Sequence, residues 1–199
     1  LWDKLNSLTF KPSLIHRIDR DTSGILLIAK EKGILVKLVE DFKYHDKVTK
    51  TYYAIVRGKL KNQSWTIDKK LKRIENAKNE NKVQVSNDGQ TAITNYKVIG
   101  EHKIQTSKWA EYISELEVQI LTWRMHQIRV HLASLWHPIV WDNTYWDKAF
   151  NSYIKTQFGL DRQALHAWKI EFFHYNKDKK MHLEAKLKDD LVEFLEKIK

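Results

Sequence analysis

The sequence predicts an α+β fold with a mixed, largely antiparallel sheet and flanking helices. Strand-like runs follow one another along much of the second half, whereas helical spacing of apolar residues occurs in few segments. Apolar residues make up 42% of the 199 residues, which is enough for a real core. Because this length suits one domain, we expect residues 1–199 to form a single domain.

The first half contains three predicted elements and one poorly ordered stretch. Residues 25–30, which are apolar up to Ala29, predict a buried strand. Apolar residues at helical spacings predict an amphipathic helix over 31–46, and the β-branched and aromatic run 50–60 predicts a strand. We expect 61–90 to be the least ordered part, with the polar run 76–82 as an exposed loop.

From residue 82 onwards the sequence predicts a succession of strands broken by two helices. One helix is expected over 125–135, with Ile128, Leu132 and Leu135 on its apolar face, and the last opens at Asp189. The predicted strands are 82–86, 91–99, 111–121, 164–174 and 180–187.

Charge and cysteine content narrow the class of protein. Thirty-five Lys and Arg against 25 Asp and Glu give a net charge of +10, which favours a polyanionic partner, nucleic acid first. A lysine-rich solvated surface is the alternative. The absence of cysteine excludes disulfides and thiolate metal sites, and fits a cytoplasmic enzyme. No apolar run is long enough for a membrane span, and no secretory leader opens the chain.

The segment 16–24 (HRIDRDTSG) is the most informative stretch of the chain. It puts Asp19 between Arg17 and Arg20, close to a Thr-Ser-Gly turn. A carboxylate among cations stays ionised, as a nucleophile must. For an isolated aspartate, a salt-bridged turn before a strand would be the commoner interpretation. Two further segments change that balance.

Those segments are 50–58 (KTYYAIVRG) and 124–132 (RMHQIRVHL), the latter followed by His-Pro-Ile at 137–139. Together with 16–24 they resemble the RluA-type pseudouridine synthases, and the HRIDRDTSG form is similar to the enzymes of large-subunit ribosomal RNA. The resemblance covers nearly the whole chain. It implies the pseudouridine synthase catalytic fold.

The resemblance also implies roles for particular residues. Asp19 matches the catalytic aspartate, Tyr52 a tyrosine that stacks near the base and moves a proton, and Arg129 the arginine that pairs with the aspartate. Arg17 matches an arginine that lies against the substrate backbone. The expected catalytic residues are therefore Asp19, Tyr52 and Arg129, and the expected substrate-binding residues are Arg17, Arg20, Arg124 and His126.

The implied reaction breaks the N1–C1′ bond of uridine, rotates the uracil and rejoins it through C5. The target must leave its stack, and Asp19 either attacks C1′ or takes a proton from C2′. No external reactant is needed, so no cofactor and no metal are expected. Ribosomal RNA (23S) is the expected substrate, with transfer RNA as the alternative. We expect a cytoplasmic monomer with no obligatory protein partner and no membrane association.

Other interpretations of the same residues are weaker. A retaining glycosidase needs a carboxylate that acts as an acid, and Asp19 and Asp21 both lie among arginines. A metal site at His126, His131 and His137 is disfavoured because an i,i+5 pair does not share a helical face; ring hydrogen bonds within the fold are expected instead. A nucleoside-processing hydrolase would release free uracil. A catalytically inactive RNA-binding relative remains open.

The chain departs from the family pattern in two ways. Only fifteen residues precede His16, so we expect the N-terminal strands of the catalytic domain, and any S4-type RNA-binding module, to be missing. Tryptophan also stands where the family has glycine: Trp65, Trp123, Trp136, Trp141 and Trp146. The chain has 6 glycines and 8 tryptophans. We hypothesise that the gene comes from a lineage that reads the codon UGA as glycine. Translation of UGA as tryptophan would then give the tryptophans of this sequence. The alternative is a diverged or inactive homologue.

Overall fold

The computed structural model describes residues 10–44, 47–75, 81–105, 110–146 and 148–199. Its strands are β1 (Ser13–Leu14), β2 (Ser23–Gly24), β3 (Ile28–Ala29), β4 (Thr49–Arg57), β5 (Ser64–Asp68), β6 (Leu71–Glu75), β7 (Asn81–Val85), β8 (Ile93–Gln105), β9 (Ala110–Ile120), β10 (Leu165–His174) and β11 (Lys179–Glu184). Its helices are α1 (Lys32–Asp41), α2 (Gln127–Ala133), α3 (Lys148–Phe158) and α4 (Asp189–Ile198).

A seven-stranded sheet organises the molecule, in the order β11-β10-β4-β9-β8-β5. All neighbours along this path are antiparallel, and β2 adds a parallel pairing to β10. Strand β4 lies between β9 and β10 and carries five successive buried residues, 52–56. The expected mixed, largely antiparallel α+β fold is confirmed.

The main core lies where α2, α3 and α4 pack against the sheet. Ile55 and Leu116 of the sheet are fully buried in the same cluster as Leu132, Ile154 and Phe194 of the three helices. Each such side chain contributes roughly 1.5–3 kcal/mol by leaving water. This packing fixes α2, and with it Arg129, against the sheet.

The predicted buried strand over 25–30 is wrong. Only Ile28–Ala29 forms a strand, paired with β1, and Leu26 and Ile28 are 40% and 46% exposed. After β2, the chain leaves the large sheet for this two-stranded one. An apolar run that changes sheets within five residues cannot have both faces covered, which the composition alone does not reveal.

The prediction of a poorly ordered stretch over 61–90 is also wrong. Strands β5, β6 and β7 occupy much of it, and residues 76–80 of the predicted loop lie outside the described residues. Ile67, Leu71 and Val83 are buried, but lysines and asparagines separate them, which hid the pattern. Helix α3 was not predicted, although Phe150 and Ile154 have helical spacing.

The remaining elements are confirmed with shorter or shifted bounds, namely α1, β4, β7, β8, β9, α2, β10, β11 and α4. The predicted end of the first helix at 45–46 lies outside the described residues. Among the described helices, none combines the length and apolar character that a membrane crossing requires.

Candidate active site

The segment 16–24 is held against β10 by its Thr-Ser-Gly turn. The backbone N–H of Thr22 donates to the carbonyl of Asp19 at 3.0 Å, and Gln163 Nε2 donates to Thr22 Oγ1 at 2.7 Å. Ser23 Oγ is hydrogen-bonded to Nδ1 of His166 at 2.8 Å. The turn therefore anchors the loop and fixes the direction of Asp19.

Gly24 allows this anchoring because β10 approaches it closely. Its φ is +109°, and a Cβ there would lie 2.2 Å from the carbonyl oxygen of Ala167. Any side chain would separate the loop from β10, so glycine is required at this position.

Arg129, on α2, links this loop to a second buried carboxylate. Its Nη1 donates to Asp19 Oδ2 at 3.1 Å, while Nε and Nη2 donate to the two oxygens of Asp142 at 2.7 and 2.9 Å. Nη2 also donates to Thr144 Oγ1 at 2.9 Å. Asp142 is 1% exposed. The two-pronged pair with Asp142 fixes the guanidinium plane, so Nη1 is aimed at Asp19.

His126 precedes α2 and faces the same carboxylate. Val83 N–H donates to Tyr145 Oη at 3.0 Å, and this hydroxyl lies 2.8 Å from His126 Nδ1. The hydroxyl therefore donates to Nδ1, and we assign the ring proton to Nε2, 3.8 Å from Asp19 Oδ2. Burial, together with the charge of Arg129, lowers the pKa of His126 against the opposing effect of Asp19. The ring is thus neutral near pH 7.

Tyr52 lies on β4 and is 7% exposed. Burial raises the pKa of its hydroxyl, and the charge of Asp19 raises it further. The phenol therefore remains protonated next to an ionised carboxylate, where it can donate a hydrogen bond.

These side chains surround a pocket of about 480 Å³. Its lining contains most of the predicted site residues, namely Arg17, Asp19, Tyr52, Arg124, His126 and Arg129. The volume is within the range of small-ligand pockets and suits a single nucleotide base. The arrangement supplies one oriented carboxylate, neutral hydroxyl and imidazole donors, and arginines at the opening.

Comparison with known families assigns the fold and site to one family. A family model described as RNA pseudouridylate synthase matches residues 3–134. The chain belongs to the RNA pseudouridylate synthase family. It is 38% identical over 188 residues to ribosomal large subunit pseudouridine synthase C of Vibrio cholerae, across 94% of this chain and 55% of the relative.

Another relative is an uncharacterized RNA pseudouridine synthase of Bacillus subtilis, 36% identical over 189 residues, covering 94% of this chain and 57% of the relative. The chain spans about half the length of the curated relatives it matches. The solved structure of human RNA pseudouridylate synthase domain containing 1 superposes with a TM-score of 0.74 at 24% identity, covering 89% of this chain and 69% of that one.

The arginines that flank Asp19 in the sequence are not among its described ion-pair partners. The described partners of Asp19 are Arg129 and His126. Arg20 is 92% exposed, pairs with Asp21 at 3.3 Å and does not line the pocket, and Arg17 is exposed at the pocket opening. Arg17 and Arg20 both extend into solvent, so adjacency in sequence did not give adjacency in space.

Sequence reasoning missed several residues of this candidate site. Asp142, Thr144 and Tyr145 orient Arg129 and His126. The one signal in the sequence for Asp142 was its position thirteen residues after Arg129. Two further lining residues, His16 and Lys50, lay inside the quoted segments without an assigned role.

Two of the five tryptophans have glycine-like backbones. Trp136 and Trp141 have φ values of 64° and 65°, in the left-handed region. Trp136 is 79% exposed, and the buried indole nitrogens of Trp141 and Trp146 have no hydrogen-bond partner among the described residues. Trp65 lies in the extended strand β5. Backbone geometry at 136 and 141 supports the glycine hypothesis.

The histidines considered as metal ligands are occupied within the fold. His131 is hydrogen-bonded to Thr94 Oγ1 and to the carbonyl of Lys69, both at 2.9 Å, and His137 to the carbonyl of Arg57 at 3.0 Å. In the part of the chain that the structure describes, no group of three or more His, Asp or Glu is placed to hold a metal ion.

Proposed function

We propose that this protein converts specific uridines to pseudouridine in structured RNA, with 23S ribosomal RNA as its substrate. One observation carries the proposal: Arg129, fixed by Asp142, holds Asp19 in a pocket that also contains Tyr52. Family membership and the relatives named ribosomal large subunit pseudouridine synthase support the reaction and the substrate class.

Asp19 begins the reaction as a nucleophile at C1′ or as a base at C2′. Both routes need an ionised and aimed carboxylate, which the Nη1 hydrogen bond supplies. The N1–C1′ bond breaks, the uracil rotates, and C5 bonds to C1′. As this bond forms, Asp19 leaves C1′ on the nucleophilic route, whereas on the other route the proton it took has returned to C2′. The proton that C5 then loses passes by way of the Tyr52 hydroxyl, which burial keeps in its neutral form.

RNA binds through the basic surface around the pocket opening. Exposed Arg17, Arg20 and Arg124 contact phosphates, and the target uridine leaves its stack to enter the pocket. His126 adds a donor beside Asp19. The protein acts as a cytoplasmic monomer and needs neither cofactor nor protein partner.

A catalytically inactive RNA-binding homologue is the second candidate. The observation that favours it is the left-handed backbone at Trp136 and Trp141, on the segment that joins α2 to Asp142. Strain there would displace the carboxylate that orients Arg129. A synthase that acts on transfer RNA is the third candidate.

The test is a pseudouridine map of cellular RNA with and without the full-length gene, in versions encoding tryptophan or glycine at the five positions. We expect one or a few 23S uridines to lose modification when the gene is deleted and to regain it with the glycine version. Changes confined to transfer RNA would reassign the substrate. An unchanged map with retained RNA binding would establish the inactive homologue, and free uracil would indicate a hydrolase.

A further inference from the structure

Lys50 is a buried cation in the pocket wall. It is 6% exposed, and its Nζ lies 5.4 Å from the ring centre of Phe42 and 4.6 Å from that of Trp123. None of the hydrogen bonds and ion pairs between described residues engages its ammonium group with an oxygen. Aromatic faces compensate only part of the cost of removing an ammonium from water. Its three donors are therefore available to a ligand.

His16 offers a second donor next to the same aromatic ring. It stacks on Phe42 with ring centres 5.2 Å apart, and Leu27 N–H donates to its Nε2 at 3.2 Å. The proton of the neutral ring is therefore on Nδ1, which is buried and has no hydrogen-bond partner among the described residues. Burial and the charge of Lys50 lower the pKa of His16 to about 4, against a smaller opposing effect of the Arg17 backbone.

The donor pair lines the same pocket as Tyr52 and Asp19. Lys50 and Tyr52 are two residues apart on β4, so they share a face of the strand, about 7 Å apart. The described ion-pair partners of Asp19 are His126 and Arg129, so its carboxylate does not hold Lys50.

We propose that Lys50 and His16 bind the 4-oxygen of the flipped uracil and select uridine over cytidine. This inference rests on the proposed function. With Asp19 at the ribose, the 4-oxygen is the polar atom of uracil farthest from the glycosidic bond. Two donors require an acceptor, and a carbonyl oxygen satisfies both. Cytosine carries an amino group at this position, which would leave all three groups as donors without acceptors.

The same pair serves both orientations of the base. Rotation of uracil about its N3–C6 axis exchanges N1 with C5 and the 4-oxygen with the 2-oxygen. A carbonyl oxygen therefore faces Lys50 and His16 before the glycosidic bond breaks and after C5 has taken the place of N1. Cytosine lacks this symmetry. RNA phosphates do not compete for Lys50 and His16, because the exposed Arg17 and Arg20 bind the phosphates at the surface.

The test combines side-chain and base-atom replacement in single-turnover reactions. An RNA stem-loop carries uridine, 2-thiouridine or 4-thiouridine at the uridine mapped in cells, and the proteins are wild type, Lys50→Met and His16→Gln. The glutamine introduced by His16→Gln retains an acceptor for Leu27 N–H but lacks the Nδ1 donor. Lys59→Met, which replaces an exposed lysine paired with Glu101, is the matched control.

We expect Lys50→Met to slow uridine about 10–100-fold, as for a lost hydrogen bond to a charged donor. The wild type should already react slowly with the 4-thiouridine RNA, because sulfur is a poor hydrogen-bond acceptor. On this RNA, Lys50→Met should lower the rate by less than about a further threefold. His16→Gln should show the same pattern on the uridine and 4-thiouridine RNAs, with a smaller loss of rate on uridine. The 2-thiouridine RNA should show the full effect of each variant on bond cleavage.

Equal slowing of uridine and 4-thiouridine by Lys50→Met would overturn the proposal in favour of a structural role, as would full activity of the variant. The same series in a Trp123→Gly background keeps the result independent of the residue at 123. A version with glycine at the five tryptophan positions that is inactive on natural uridine would instead refute the proposed function. Binding of the uridine and cytidine stem-loops then tests base selection directly, and equal affinity would reject it.

Discussion

Arg129 donates a hydrogen bond to Asp19 at 3.1 Å although 110 residues separate them. The contact joins the loop before β2 to helix α2, and the buried pair with Asp142 keeps it in place. An arginine whose Nε and Nη2 are held by a carboxylate has its Nη1 group left to aim at a second acceptor. Catalysis in the proposed mechanism therefore depends on Asp142 as a positioning residue as well as on the two residues in contact.

Arg129→Lys should lower kcat more than it raises KM. Lysine keeps the charge but cannot donate to Asp142 in two places and to Asp19 at once. We expect a loss of roughly 10–100-fold in kcat with KM changed less than about threefold, because the variant no longer orients Asp19 but still binds RNA. Steady-state kinetics on the mapped stem-loop measure both. Near-normal kcat would show that orientation of Asp19 does not limit the reaction.

Asp142→Asn should reduce both stability and activity. The variant leaves a buried guanidinium with a neutral partner, and breaking a buried pair costs about 3–5 kcal/mol. Asp21→Asn is the control, because Asp21 is half exposed and pairs with the exposed Arg20. Surface pairs contribute about 0–1 kcal/mol. Urea unfolding measures the stability of the wild type and of the two variants, and kinetics on the stem-loop measure their activity. Equal stability of both variants would contradict the buried pair, and equal activity would contradict the positioning role.

Trp136→Gly should stabilise the protein, whereas in Trp141→Gly the relief of the backbone is opposed by the loss of an indole that packs against the core. A bulky residue at φ near 65° costs about 1–2 kcal/mol that glycine does not. Trp136 is 79% exposed, so its replacement loses little packing. Trp65→Gly, in an extended strand, should instead destabilise by about 0.5–1 kcal/mol. Thermal melts of the single variants give the sign of each change.

The glycine hypothesis has its own measurement. Mass spectrometry of peptides from the native source reads the residues at 136 and 141 directly, and we expect glycine at both. Tryptophan there, encoded by UGG, would end the hypothesis and shift the expectation towards an inactive homologue.

His16 should make stability depend on acid pH. Its pKa is about 4 in the folded protein against 6.5 for an exposed ring, so the unfolded chain binds the proton first. The free energy of unfolding should therefore fall as the pH drops from about 6.5 towards 4, by roughly 1–3 kcal/mol. Above pH 6.5 His16 contributes no slope. His16→Gln should remove this part of the slope, and an unchanged slope would contradict the assignment.

The sequence predicted which side chains meet in the pocket better than it predicted the residues that hold them there. Asp19, Tyr52 and Arg129 were found because each lies in a short segment typical of the family, and the strands and helices that carry Tyr52 and Arg129 were predicted as well. Asp142 was not found, because a buried ion pair depends on tertiary packing that no periodicity encodes. Residues 25–30 failed for a related reason: composition indicates burial, but not where a chain changes sheets.

The most direct test of the central claim is tritium release from RNA that carries [5-³H]uridine, with wild-type protein and Asp19→Asn. Formation of the C5–C1′ bond expels the C5 hydrogen, so each turnover sends tritium into water. We expect release by the wild type, none above background with Asp19→Asn, and similar RNA affinity for both. Tritium release by Asp19→Asn at the wild-type rate would contradict the assignment of Asp19.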